Sequence, residues 1–130
     1  IEELNILKAT LLSMVRAFEI CKKQLCIEMN SLLVKIDGVH SPHEIDGPWQ
    51  KWLFETEKIK NGDNLIKEIA ASSIIAKVTR DNLMIKYDKI FPKYFFKQNM
   101  GYGTTKHMTA LRNFGSCPIH RKTFKPVKNL

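Results

Sequence analysis

The second half of this sequence is nearly devoid of acid. Residues 76–130 carry two carboxylate side chains, Asp81 and Asp88, against twelve Lys and Arg, a local charge of +10. Residues 1–75 hold nine Lys and Arg against eleven Asp and Glu, or −2, so the formal +8 of the chain is concentrated in one half. A half that basic points to a polyanionic partner, nucleic acid first, against the plainer alternative of a solubilising charge bias. Glycine and proline are scarce, six and five in 130 residues, which excludes collagen-like and low-complexity sequence. With 44% hydrophobic and 26% charged residues disorder is excluded too, and the length suits one domain, 1–130, with a single core. No uncharged apolar run approaches the ~18 residues of a membrane span, and no signal peptide opens the chain. Three cysteines, Cys21, Cys26 and Cys117, make an odd count without metal-type spacing. They read as reduced thiols in a cytoplasmic protein.

Leu4, Leu7, Leu11, Met14 and Phe18 recur at helical spacing, so residues 3–20 read as an amphipathic helix. The chain therefore starts at Ile1 already inside a helical pattern and without Met, as a fragment would. Ser31–Asp37 is a short apolar run closed by Asp37-Gly38, the pattern of a largely buried strand ending in a turn. Residues 39–48 form a polar loop, and Trp52–Ile59 reads as a second, shorter strand bounded by the turn sequence Asn61-Gly62-Asp63-Asn64. Residues 66–90 are the longest helical stretch, ended by Pro92 and the aromatic cluster Tyr94, Phe95 and Phe96. A Gly101-Tyr102-Gly103-Thr104 loop precedes a short helix near residues 105–113, and Gly115, Pro118 and Pro126 leave the tail mostly irregular. Helix, strand, loop, strand, helix is an α/β order.

Asp37 stands at the carboxyl end of an apolar strand, where open α/β sheets place ligand sites; a turn-forming Asp before Gly is the plainer reading. Asp81 shares a helix face with Ile74, Val78 and Ile85, which puts a carboxylate on an apolar stripe. It then needs a metal, a rim position, or a salt bridge to Lys77 or Arg80. Two Asp in a basic setting suit a hard cation, Mg²⁺ or Mn²⁺, held through carboxylate oxygens. Such ions activate water and neutralise the leaving oxygen in phosphodiester cleavage. Two carboxylates are few for a two-metal centre, and Asp46, Asp63 and Glu68 lie in or beside turn sequence. Tyr102, flanked by glycines, either presents its ring for stacking on a base or sugar or folds back on the core. His120-Arg121-Lys122 is a phosphate-contact patch or a solvated basic tail, and the four histidines show no tight metal spacing.

These residues resemble ribonuclease HII. Ile69-Ala-Ala-Ser-Ser-Ile-Ile-Ala-Lys-Val-Thr-Arg-Asp81 is similar to the signature helix of that family, and Glu3–Thr10 to the helix before its strand. Leu33-Val-Lys-Ile-Asp-Gly38 resembles the strand whose terminal Asp binds metal, and Gly62-Asp63 the turn before the signature helix. Met100-Gly-Tyr-Gly-Thr104 and His120–Val127 resemble the two downstream motifs. The resemblance spans essentially the whole chain in one order.

The resemblance implies a ribonuclease H-like α/β fold with a mixed sheet flanked by helices, here lacking the opening strands. It implies a monomeric endonuclease that cuts the RNA strand of RNA–DNA hybrids and single ribonucleotides in DNA, on the 5′ side, leaving 3′-hydroxyl and 5′-phosphate ends. Mg²⁺ or Mn²⁺ is implied as cofactor, with Asp37 and Asp81 on two of four acidic metal positions and Tyr102 on the tyrosine that stacks at the RNA–DNA junction. Lys77, Arg80, His120 and Arg121 are the candidates for further nucleic-acid contacts. The chain departs from the family pattern at Val39, where Asn is usual, and at Asn99-Met100, where His-Lys is usual. The Asp-Glu pair and Gly-Arg-Gly of the family's opening segment have no counterpart in these residues. The 130 residues alone are thus expected to be marginally folded and inactive. The alternative is a non-catalytic nucleic-acid-binding module.

Overall fold

A computed structural model describes residues 1–25, 32–49 and 52–129. Cys26 and Ser31 lie outside the described residues, and with them the expectations for that thiol and for the first residue of the strand. The described chain divides into two compact units, Ile1–Ala71 and Ser72–Leu130.

In the first unit, helix α1 (Asn5–Leu25) carries the periodic apolar face read from the sequence and buries Leu11. The Asn5 carboxamide accepts a hydrogen bond from the Lys8 N–H at 3.1 Å, satisfying one donor of the first turn. Farther along α1, Phe18 packs against Trp52 and Phe54, with ring centroids 5.0 and 4.5 Å away. The Trp52 indole N–H donates to Thr56 Oγ1 at 2.7 Å, so a large buried ring keeps its one polar atom paired.

Strands β1 (Leu33–Asp37) and β2 (Glu55–Ile59) pair in parallel, with Leu33 opposite Glu55 and Asp37 opposite Ile59. Parallel neighbours need a long connection, and residues 38–54 supply it. An ion pair between Lys58 and Glu44 ties that connection back to β2. The α/β fold expected from sequence is present, its sheet among the described residues being this two-stranded parallel pair. The strand is also less covered than its apolar sequence implied: only Ile36 is buried, while Leu33 is 48% exposed. With one neighbour apiece, both strands are edges among the described residues.

Helix α2 (Gly62–Leu65) is one turn, followed by α3 (Lys67–Ile90), within which the boundary between the units falls. In the second unit α3 ends at Ile90, because Pro92 cannot continue a helix and restricts Phe91 before it. A 3-10 turn (Pro92–Tyr94), the single turn α4 (Phe96–Asn99) and helix α5 (Thr105–Phe114) follow. Thr104 caps α5 by accepting the His107 N–H on its hydroxyl. Tyr94, Phe96, Ala110, Leu111 and Cys117 form the core of this unit, with Met84, Tyr87 and Ile119 packed against it. Each large apolar side chain buried in this way contributes about 1.5–3 kcal/mol. No helix of the described residues is long and apolar enough to cross a membrane.

Candidate metal centre and nucleic-acid interface

The carboxyl ends of β1 and β2 point the same way, and both end in turns that carry acids. Asp37 closes β1 opposite Ile59, and the Gly38 N–H extends the ladder by donating to the Ile59 carbonyl at 2.9 Å. From Ile59 the chain turns through Asn61, in left-handed backbone conformation, into the Gly62 that opens α2. The Gly62 N–H donates to Asp37 Oδ1 at 2.8 Å. Asp63, the next residue, stands in the first turn of α2, so two exposed carboxylates occupy adjacent turns at the carboxyl edge of the strand pair. From sequence, Asp63 reads only as turn sequence. The signal available was that this turn ends a strand of its own, parallel to the one that carries Asp37.

Gly62 is buried, and a Cβ on it would stand 2.7 Å from Ile69 Cδ1. Glycine thus lets the turn close on Ile69 while its N–H reaches Asp37. This is the close backbone approach for which only glycine leaves room.

Asp81 lies in the second unit, on α3. Lys77, one turn earlier, donates from Nζ to Asp81 Oδ2 at 3.0 Å, the ion pair that was the alternative to a metal for this residue. Asp81 Oδ1 is buried and has no hydrogen-bond partner. The apolar stripe around it is not covered: Ile74 and Val78 are 64% and 54% exposed.

Tyr102 is 62% exposed, so its ring does not fold back on the core. The Arg80 guanidinium lies 5.1 Å from the ring centroid, a cation–π contact that pairs positive charge with an exposed aromatic face. Arg121 is exposed and stacks on Phe124 at 4.1 Å. His120 is turned inward, contrary to a phosphate-contact role. Its Nδ1 accepts the Cys117 N–H at 2.9 Å and lies 3.1 Å from Cys117 Sγ, and its Nε2 is 3.2 Å from His107 Nε2. Both ring nitrogens are therefore committed inside the protein. Burial lowers the pKa of His107 and of His120, the latter also through repulsion from His107, and burial raises that of the Cys117 thiol.

The sequence model described as Ribonuclease HII matches residues 1–127. This chain belongs to the ribonuclease HII family. It is 43% identical over 130 residues to a ribonuclease HII of Natranaerobius thermophilus, covering all of this chain and 59% of that protein. A ribonuclease HII of Coxiella burnetii is 45% identical over the whole chain, which covers 57% of it. For that of Desulforamulus reducens the identity is 44%, with 59% of the relative covered. The chain thus spans less than two thirds of the length of these relatives of the ribonuclease HII family.

The donors suit the cation implied by the family. Asp37 and Asp63 offer hard carboxylate oxygens at a sheet edge of the first unit. Among the described residues no three His, Cys, Asp or Glu converge tightly enough to hold an ion.

Proposed function

We propose that this chain forms part of the single catalytic domain of a ribonuclease HII. The reaction is hydrolysis of the RNA strand of RNA–DNA hybrids, and of single ribonucleotides within duplex DNA, leaving 5′-phosphate and 3′-hydroxyl ends. The observation that carries this reading is the hydrogen bond from Gly62 to Asp37, which brings the Asp63 turn against the end of β1. Asp37 and Asp63 are the carboxylates that would hold Mg²⁺ or Mn²⁺ here. When bound, the cation supplies an activated water and neutralises charge on the leaving oxygen. Asp81, on the second unit, is a further candidate carboxylate for a cation, with its Oδ1 buried and unpartnered.

The chain's own groups do the rest. Gly62 orients Asp37 by fixing Oδ1, which leaves Oδ2 as the oxygen available to a ligand. Tyr102 offers a flat face to the sugar and base at an RNA–DNA junction, where the 2′-hydroxyl distinguishes RNA from DNA. Arg80 and Arg121 supply positive charge for phosphates. Lys77 contributes charge to that surface while remaining paired to Asp81, and His120 supports it from within rather than by contact. The protein acts in the cytoplasm, as a monomer, in replication and repair of DNA.

The test joins these 130 residues to the N-terminal segment of the Coxiella burnetii ribonuclease HII and measures nicking of a DNA duplex carrying one ribonucleotide. Mg²⁺-dependent nicking by the completed protein, with none by the 130 residues alone, is expected. Junction binding by the completed protein without any nicking would replace this reading with that of a non-catalytic binding module.

A further inference from the structure

The Gly101-Tyr102-Gly103 loop is held from beneath by one buried side chain, Asn99, which is 4% exposed. Its Oδ1 accepts the Gly101 N–H at 2.8 Å, and its backbone carbonyl accepts the Tyr102 N–H at 2.8 Å. Its Nδ2 donates to the Tyr94 carbonyl at 2.7 Å. Because Gly101 offers only a donor and Tyr94 only an acceptor, the carboxamide has one orientation. The backbone between is costly to hold at Met100, with φ 48°, whereas Gly101 takes its φ of 78° freely.

A chain of histidines locks the same carbonyl. The Cys117 N–H can only donate, so His120 Nδ1 is the acceptor and its proton sits on Nε2. That proton points at His107 Nε2, 3.2 Å away, which places the His107 proton on Nδ1, 3.1 Å from the Tyr94 carbonyl oxygen; Asn99 Nδ2, 3.0 Å from the same Nδ1, is then a neighbouring donor to that carbonyl and not a donor to the ring. Tyr94 O thus receives two donors, from Asn99 and His107, and Asn99 cannot rotate without breaking one of its own bonds.

We propose that Asn99 is a positioning residue for Tyr102, setting the angle at which the exposed ring meets a nucleic-acid duplex. This rests on the stacking role proposed for Tyr102. A histidine at this position would keep the bond to the loop, because imidazole Nδ1 lies where carboxamide Oδ1 lies and can accept the Gly101 N–H, while the donation to the Tyr94 carbonyl is lost.

The experiment uses the completed protein and reads the ratio of dissociation constants for an all-DNA duplex and the same duplex with one ribonucleotide, alongside thermal unfolding. Tyr102→Ala is expected to lower that selectivity about tenfold, and Asn99→Leu to lower it by a similar factor, about the worth of one hydrogen bond. The double variant is expected to lose no more than Tyr102→Ala alone, and Asn99→His to keep the selectivity. Should Asn99→Leu fail to fold, Asn99→Ala in the same two backgrounds carries the comparison. Additive losses in the double variant, the pattern of a merely structural residue, overturn the proposal. So does a normal loss in Tyr102→Ala beside none in Asn99→Leu. Undiminished selectivity in Tyr102→Ala instead overturns the stacking role itself, and the positioning role with it.

Discussion

Asp37 receives a hydrogen bond on its side chain from the backbone of Gly62, 25 residues later in the chain, at 2.8 Å. The contact joins the ends of two parallel strands and makes Asp63 the neighbour of Asp37. It also makes the candidate metal centre depend on one glycine.

Removing either carboxylate of that pair should end catalysis. Asp37→Asn and Asp63→Asn in the completed protein are each expected to lower Mg²⁺-dependent nicking at least about 100-fold, since loss of even outer-sphere partners costs about 10–100-fold. Circular dichroism should stay unchanged, as both side chains are exposed. Near-full nicking by either variant would remove that residue from the site.

Asp81 should respond differently. Its ion pair with Lys77 is largely exposed on the lysine side and is worth about 0.2–1 kcal/mol. Asp81→Asn is therefore expected to retain more nicking activity than Asp37→Asn, and Lys77→Met to shift thermal unfolding only slightly. An Asp81→Asn variant as inactive as Asp37→Asn, with an unchanged melting temperature, would make Asp81 an equal member of the metal set.

Gly62 can be tested by size alone. Gly62→Ala places a methyl group 2.7 Å from Cδ1 of the buried Ile69, an overpacking that costs about 1–3 kcal/mol. Ile69→Val removes that Cδ1 and should recover part of the loss in the double variant. Denaturant unfolding of the two single variants and the double variant measures this coupling.

The histidine pair predicts a pH dependence. Burial holds His107 and His120 below their ordinary value of 6.5 when folded, so in acid the unfolded chain takes up protons more readily than the folded one. The stability they allow is intact above that value and is lost as pH falls below it toward the folded values. The groups facing the pair are Cys117 and Tyr94, and neither is charged at these pH values. Melting temperatures measured from about pH 8 down to about pH 5 should fall on the acid side. His107→Gln should flatten that slope, and a slope unchanged by it would place the titrating group elsewhere.

Local chemistry by itself determined much of this protein. The periodicity of Leu4, Leu7, Leu11, Met14 and Phe18 runs along α1, Pro92 terminates α3, and the two runs that end at Asp37 and Ile59 became the paired strands. The glycines around Tyr102 left its ring either exposed or folded back on the core, and the acid-poor second half marked the charge of the surface that carries it. These features follow from spacing, propensity and composition over a few residues. Only the tertiary structure decided that Asp63 neighbours Asp37, that His120 faces His107 rather than solvent, and that Ile74 and Val78 stay exposed around Asp81. Hydrogen bonds and burial between residues far apart in the chain depend on which segments meet, and local patterns do not specify that.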